Sequence, residues 1–189
     1  MKLYLRKDGM KEKNIHIYSL SNQLNKVKSY LKDGGEVDSL GEYASTPLHC
    51  ACREGNIKII KVLIQYGADI NSKNRYSTVY PIFEVLASIK IEYPSAIVKL
   101  LIDNGADINV IDSFGNTILH YAIEKELIEL IKLVVSLGGD INYTERYDKD
   151  TPLHYAYFQK NRNIIDYLIA HGADSERLNI YNKTPESYL

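Results

Sequence analysis

Histidine, cysteine and aspartate are the side chains in this chain of 189 residues whose types and spacing could do chemistry. Four of the five histidines, His16, His49, His120 and His154, recur at one position of a repeating pattern. A metal site or a catalytic dyad needs groups that converge on one point, and residues placed one per repeat unit do not converge. The recurring aspartates Asp69, Asp107, Asp140 and Asp174 are dispersed in the same way. They suit turns, where an Asx side chain bonds nearby backbone. Cys50 and Cys52 stand two apart on an expected helix, which turns them roughly 200° from each other. They cannot share a zinc ion without unwinding it, and no paired C-x-x-C element accompanies them. His171 falls at an expected helix end, where a partial positive charge suits the helix dipole. The phosphate-cradling G-x-x-x-x-G-K-[ST] loop, the G-x-S-x-G elbow and the H-E-x-x-H pair are all missing. No catalytic, cofactor-binding or metal-ligating set is expected.

The elements that position these residues follow from two motifs. Gly67-Ala68-Asp69-Ile70-Asn71 recurs from Gly105 and, as Gly-Gly-Asp-Ile-Asn, from Gly138. Weaker copies begin at Gly172 and Gly34, so successive glycines are 33, 38, 33 and 34 residues apart. Thr46-Pro47-Leu48-His49 recurs as Thr117-Ile118-Leu119-His120 and Thr151-Pro152-Leu153-His154, each threonine 21 residues before its glycine. Proline is tolerated in the first helical turn, and the threonine before it can cap the helix. Gly55 permits a tight turn between two helices. The second helix shows apolar spacing, as in Ile59, Ile60, Leu63 and Ile64, and stops at a glycine suited to the left-handed conformation. One such unit cannot bury its apolar face alone, so the units must stack.

These two motifs, in register over five units, resemble the ankyrin repeat. The resemblance covers residues 13–189 and implies an all-α dominated repeat solenoid of helix-turn-helix units with β-hairpin or loop fingers. Repeat boundaries fall near 13–40, 41–74, 75–111, 112–145 and 146–178, with a partial unit at 179–189 and a separate N-terminal segment at 1–12. The third unit departs from the pattern. Tyr80-Pro81-Ile82-Phe83 stands where Thr-Pro-Leu-His is expected, and the surplus residues are placed at 91–95, with Ser95 as a cap of the following helix. That stretch is either a tolerated loop or a projecting contact element, and the loss of the histidine makes this joint the weakest in the stack.

Tyr43, Tyr76, Phe114, Tyr147 and Tyr181 each lie nine residues after a repeat glycine. In ankyrin repeats that segment is the tip of a finger, so the rings would line one edge of a concave surface, or pack on each other and stiffen it. Tyrosine supplies rigid contact area and anchors interfaces. The contact positions implied by the resemblance are Glu42, Tyr43, Ser45, Arg53 and Glu54 in one repeat. They are Ser113, Phe114, Asn116, Glu124 and Lys125 in another, and Tyr147, Asp148, Asp150, Phe158 and Gln159 in the last full one. Tyr76 alone is carried into the irregular repeat, and Tyr181 into the partial unit.

The functional expectation is a non-enzymatic protein–protein interaction scaffold without cofactors, monomeric on its own. Its partner would be a mixed polar and apolar protein surface, because charges of both signs occur at these positions. Three alternatives stand beside it: a host-targeting effector, a regulatory or targeting subunit of an enzyme complex, and an enzyme with an unrecognised site. A net charge of -1 argues against nucleic acid as the partner. No apolar run reaches the roughly 18 to 20 residues of a membrane span. A start as charged as Met1-Lys2-Leu3-Tyr4-Leu5-Arg6-Lys7-Asp8 does not suit a signal peptide. With just two cysteines, the expected location is the cytoplasm, or the cytosol of a host cell for an effector. The final Glu186-Ser187-Tyr188-Leu189 fits both a short PDZ-ligand pattern and the opening of another repeat.

Overall fold

Thr-Pro-Leu-His starts a helix because threonine and histidine cap it reciprocally. His49 Nδ1 accepts the Thr46 N–H at 3.1 Å and lies 2.9 Å from the Thr46 hydroxyl. The same capping box forms at Thr117–His120 and Thr151–His154. The ring's other nitrogen reaches forward one unit, His49 Nε2 to the Val79 carbonyl at 3.0 Å and His154 Nε2 to that of Lys183 at 3.2 Å. An Nδ1 that accepts leaves the proton on Nε2, so these are neutral rings that join cap to neighbour. His16 Nε2 makes the equivalent bond to Ser45 at 3.1 Å and reaches Ser39 at 2.8 Å.

The computed structural model describes residues 14–74, 79–88 and 91–189. Ten α-helices form five antiparallel pairs among them. They are α1 (Ile15–Leu20) with α2 (Leu24–Lys32), α3 (Pro47–Arg53) with α4 (Ile57–Gln65), and α5 (Pro81–Ala87) with α6 (Pro94–Asp103). The series continues with α7 (Ile118–Glu124) and α8 (Ile128–Ser136), then α9 (Pro152–Phe158) and α10 (Arg162–Ala170). First helices pack on first helices in the order α1, α3, α5, α7, α9, and a 3-10 turn at Pro185–Tyr188 continues that inner layer. Second helices form the outer layer, with α2 against α4 and α6 against α8. The N-terminal segment at 1–12 lies outside the described residues.

One continuous core runs from Ile15 to Ala173. Four residues before the repeat glycine, Leu63, Leu101, Val134 and Leu168 are fully buried at 0% exposure. Truncating any of the leucines to alanine costs about 2–5 kcal/mol, the range for a buried aliphatic that leaves a cavity. The inner helices also bury small residues completely, at Ala51, Ala122 and Ala156. Each outer helix ends at its glycine in the left-handed conformation, φ 83° at Gly67 and 98° at Gly105. The Ala68 N–H then closes back on the Leu63 carbonyl at 3.0 Å.

The Gly-Ala-Asp-Ile-Asn motif divides its labour. Each aspartate closes its own turn, as Asp107 Oδ1 does by accepting the Asn109 N–H at 2.8 Å. Each asparagine reaches the next unit. Asn71 Oδ1 accepts from the Asp107 N–H at 3.0 Å while its amide donates to the Gly105 carbonyl at 2.8 Å. Asn142 repeats both bonds toward Asp174 and Gly172.

One expectation for the irregular repeat is corrected. Ser95 does not cap α6: Tyr93 is the N-cap, Pro94 sits in the first turn, and Ser95 lies inside the helix. Proline's fixed φ suits that first turn and moves the start two residues toward the N-terminus. The fingers take the loop form, since no strand occurs among the described residues. Each is a turn closed by one backbone bond, such as Glu145 N–H to the Asp150 carbonyl at 3.0 Å.

Candidate functional site: the finger edge and inner helix face

The first finger has Gly41 seven residues after its repeat glycine, and the other four each place a buried polar side chain there. These are Asn74, Asp112, Glu145 and Asn179, between 2% and 7% exposed. Each gathers the N–H groups of its own loop. Asp112 Oδ1 accepts from Phe114 at 2.9 Å and Asn116 at 2.8 Å. Glu145 accepts from Tyr147 at 2.6 Å, Asp148 at 2.5 Å and Asp150 at 3.2 Å. Asn179 Oδ1 accepts from Tyr181 at 2.9 Å and Lys183 at 3.1 Å. Sequence reasoning missed this device, although its signal, an Asn, Asp or Glu in phase with the glycines, is present in all four.

Adjacent fingers are hooked together. The Arg146 N–H donates to the Phe114 carbonyl at 3.1 Å, and the Ile180 N–H to that of Asp148 at 2.9 Å. Gly115 lies at the first hook, with φ 84°, and a Cβ there would meet the Arg146 nitrogen at 2.6 Å. Close approach therefore demands glycine.

On this scaffold stand the rings. Phe114 and Tyr147 are 55% and 61% exposed with centroids 6.3 Å apart, a tilted pair. Tyr181 is exposed and donates its hydroxyl to Asp148 Oδ1 at 2.9 Å, which raises its phenol above the usual range. Tyr43 is exposed on a left-handed backbone at φ 57°. Tyr76 and the Glu42 side chain lie outside the described residues.

A second set of rings, not expected from the sequence, lines the inner helices. Tyr121, Tyr155 and Tyr188 occupy one repeat position, each just after the residue at the histidine position. Each meets the ring at the histidine position of the repeat before it. Phe83–Tyr121 centroids are 5.8 Å apart, His120–Tyr155 5.0 Å and His154–Tyr188 6.0 Å, all edge-on. Their hydroxyls hold the fingers, Tyr121 to Asp112 Oδ2 at 2.6 Å and Tyr155 to Asn116 Oδ1 at 3.1 Å. Burial, seconded by carboxylates, pushes both phenols well up. Phe158, 68% exposed, extends this line and meets Tyr188 edge-on at 6.3 Å.

Several expected contact residues are committed inside the stack. Ser45 is buried at 7% exposure and is not presented to a partner. Arg53 forks onto Glu84 with two bonds of 2.7 Å, compensating a carboxylate whose side chain is 5% exposed. Asp150 accepts from Asn179 at 2.7 Å, and Gln159 donates to the Glu124 carbonyl at 3.3 Å. Asn116 is spent on Tyr155. Glu54 and Asp148 are half-buried, whereas Ser113, Glu124 and Lys125 are exposed.

What this arrangement presents is a surface of exposed rings with polar residues beside them. Among the described residues no group of three metal-ligating side chains assembles. Cys50 and Cys52 are buried, and burial pushes the Cys50 thiol up to about 11. His171 closes α10, its Nδ1 bonding the Tyr167 carbonyl at 2.7 Å. No helix among the described residues is long and apolar enough to cross a membrane.

Comparison with known proteins finds the family described as ankyrin repeats (3 copies) over residues 85–179 and ankyrin repeat over residues 45–75. The chain belongs to the ankyrin-repeat family. Ankyrin repeats imply protein–protein interaction. Among relatives, palmitoyltransferase ZDHHC13 of Homo sapiens is 31% identical over 175 residues, covering 90% of this chain and 27% of its own length. Palmitoyltransferase ZDHHC17 of Danio rerio is 30% identical over 174 residues, again 90% and 27%. The ankyrin repeat protein FPV022 of Fowlpox virus is 28% identical over 139 residues, 74% of this chain and 22% of its own length. The chain thus spans about a quarter of the length of the curated relatives it matches.

Proposed function

We propose that this ankyrin stack is a non-enzymatic binding module that takes a partner protein on its finger edge and inner helix face. The observation that carries the reading is the exposed Phe114–Tyr147 pair, held on fingers whose backbone is already satisfied. Rings on a preorganised loop lose little freedom on binding, so their buried area converts to affinity efficiently. Phe158 and Tyr181 extend the same surface, and Ser113, Glu124 and Lys125 supply a polar rim. The two buried free thiols suit a reducing compartment, the cytoplasm of the source cell or of a host.

The test is affinity capture with the intact chain beside a variant carrying Tyr43→Ala, Phe114→Ala and Tyr147→Ala. The variant should lose its partner by at least about 100-fold, since interface aromatics are each worth about 2 kcal/mol or more. A partner held equally by both would place the contact face elsewhere.

The palmitoyltransferase relatives favour one narrower reading, in which the stack is the targeting arm of an enzyme complex. The matched segment of such a relative would then compete with this chain for a shared partner. Independent, additive binding would reject that reading.

A further inference from the structure

The outer helix layer changes character along the stack. Six residues before the repeat glycine, Lys28, Lys61, Lys99 and Lys132 follow one another in successive repeats. In the third and fourth repeats that lysine is neutralised within its own helix, Lys99 by Asp103 at 2.9 Å and Lys132 by Glu129 at 3.3 Å. In the fifth, Asp166 takes the position and pairs with Arg162 at 3.1 Å. Among the described residues, Lys28 and Lys61 of the first two repeats make no such pair within their own helices. Lys26, Lys28 and Lys32 on α2, and Lys58 and Lys61 on α4, are all exposed, and the two helices lie side by side. Across both helices and their caps Asp33 is the single acid.

We propose that the outer face of α2 and α4 docks on an anionic lipid surface. Each helix turns its apolar side inward, through Val27 and Leu31 on α2 and Ile59, Ile60 and Leu63 on α4, so the lysines are left to solvent. Neither helix carries an arginine, so the face lacks the forks that read phosphate or base edges bidentately. Of the two rings on these helices and their caps, Tyr30 packs back against the core and Tyr66, the C-cap of α4, is 47% exposed, where an amphipathic ring suits a lipid interface. Diffuse point charges of one sign match a field of lipid headgroups. Ile57 stands four residues before Lys61 on the same side of α4, is 37% exposed, and can enter the headgroup layer. Docking through the outer layer leaves the finger edge free, so this proposal does not depend on the partner-binding reading.

The experiment is co-sedimentation of the full chain with vesicles of phosphatidylcholine alone and of phosphatidylcholine with about one-third phosphatidylserine. The chain should sediment with the second only, and raising salt from about 0.05 M to about 0.5 M should release it. Lys28→Gln, Lys58→Gln and Lys61→Gln together should weaken binding about 100-fold, at about five-fold per lysine. Their side chains are exposed, so the circular dichroism spectrum should be unchanged. A variant with the same change in net charge on the finger side, Lys125→Gln, Lys149→Gln and Lys183→Gln, should bind as the parent does. Equal loss in that control, equal binding to pure phosphatidylcholine, or tighter binding to polyglutamate or duplex RNA than to vesicles would each overturn the proposal.

Discussion

Glu145 shows how much of this surface depends on single side chains. Its carboxylate collects three N–H groups of one finger from a site 5% exposed. Glu145→Ala strands those donors, and hydrogen bonds to a charged acceptor contribute about 1.5–3 kcal/mol. The variant should lose about 2 kcal/mol in urea unfolding; an unchanged midpoint would mean the finger closes without it. The inter-repeat histidines make a separate prediction. Burial lowers His120 to about 4 from 6.5, and lowers His16 and His49 in the same direction. An unfolded histidine then binds more protons than a folded one between these values. The stability that His120 contributes is therefore complete above pH 6.5, falls as pH drops through the window, and levels off below about 4. For His120 the loss totals about 3 kcal/mol, most of it by pH 5. Denaturant melts of the parent and of His120→Gln at pH 7 and pH 5 should show the parent losing more between the two conditions.

At the scale of elements, the joint between the third and fourth repeats differs from the others. Phe83 stands at the histidine position and meets Tyr121 edge-on, so this joint has no imidazole at all. The next one keeps His120, whose Nε2 finds no hydrogen-bond partner among the described residues. Tyr80 replaces the capping threonine of α5, and that helix runs out into an extended Ser88. Backbone amides of α5 should therefore exchange with solvent faster than those of α7 or α9, each closed by a capping box. Equal protection along the stack would show that ring packing compensates fully. The sequence marked this unit as irregular through Tyr80 and Phe83. It misplaced the cap of α6, because Ser95 is the better capping residue by type and Pro94 is the stronger constraint by geometry.

Across the whole molecule, two faces of one core differ in their chemistry. The finger edge presents large exposed rings: Tyr43, Phe114 and Tyr147 are each more than half exposed. Replacing all three with alanine should change unfolding free energy by no more than about 1–2 kcal/mol, because little buried area is lost. A larger loss would assign the rings to stiffening the array. The outer layer has the opposite design, with its lysines bare at the amino-terminal end and paired toward the other.

The sequence by itself determined the solenoid, its repeat phase and the position of the rings on the fingers. Those depend on local rules: a cap before a helix, a left-handed glycine after it, an apolar face at helical spacing. It also removed histidine and aspartate from catalysis, since residues in phase are residues apart. Only the tertiary structure decided which polar side chains face a partner. Ser45, Arg53 and Asn116 occupy positions that the pattern assigns to contact, yet burial or a neighbouring repeat claims each of them. Asn74, Asp112, Glu145 and Asn179 look like surface residues in the sequence and are buried keystones of the fingers. The reason is that a polar atom's role is set by the donors and acceptors within about 3 Å of it. Some come from a neighbouring unit, 31 residues away for Arg53 with Glu84 and 39 for Tyr155 with Asn116, whereas the keystones collect N–H groups of their own folded loops.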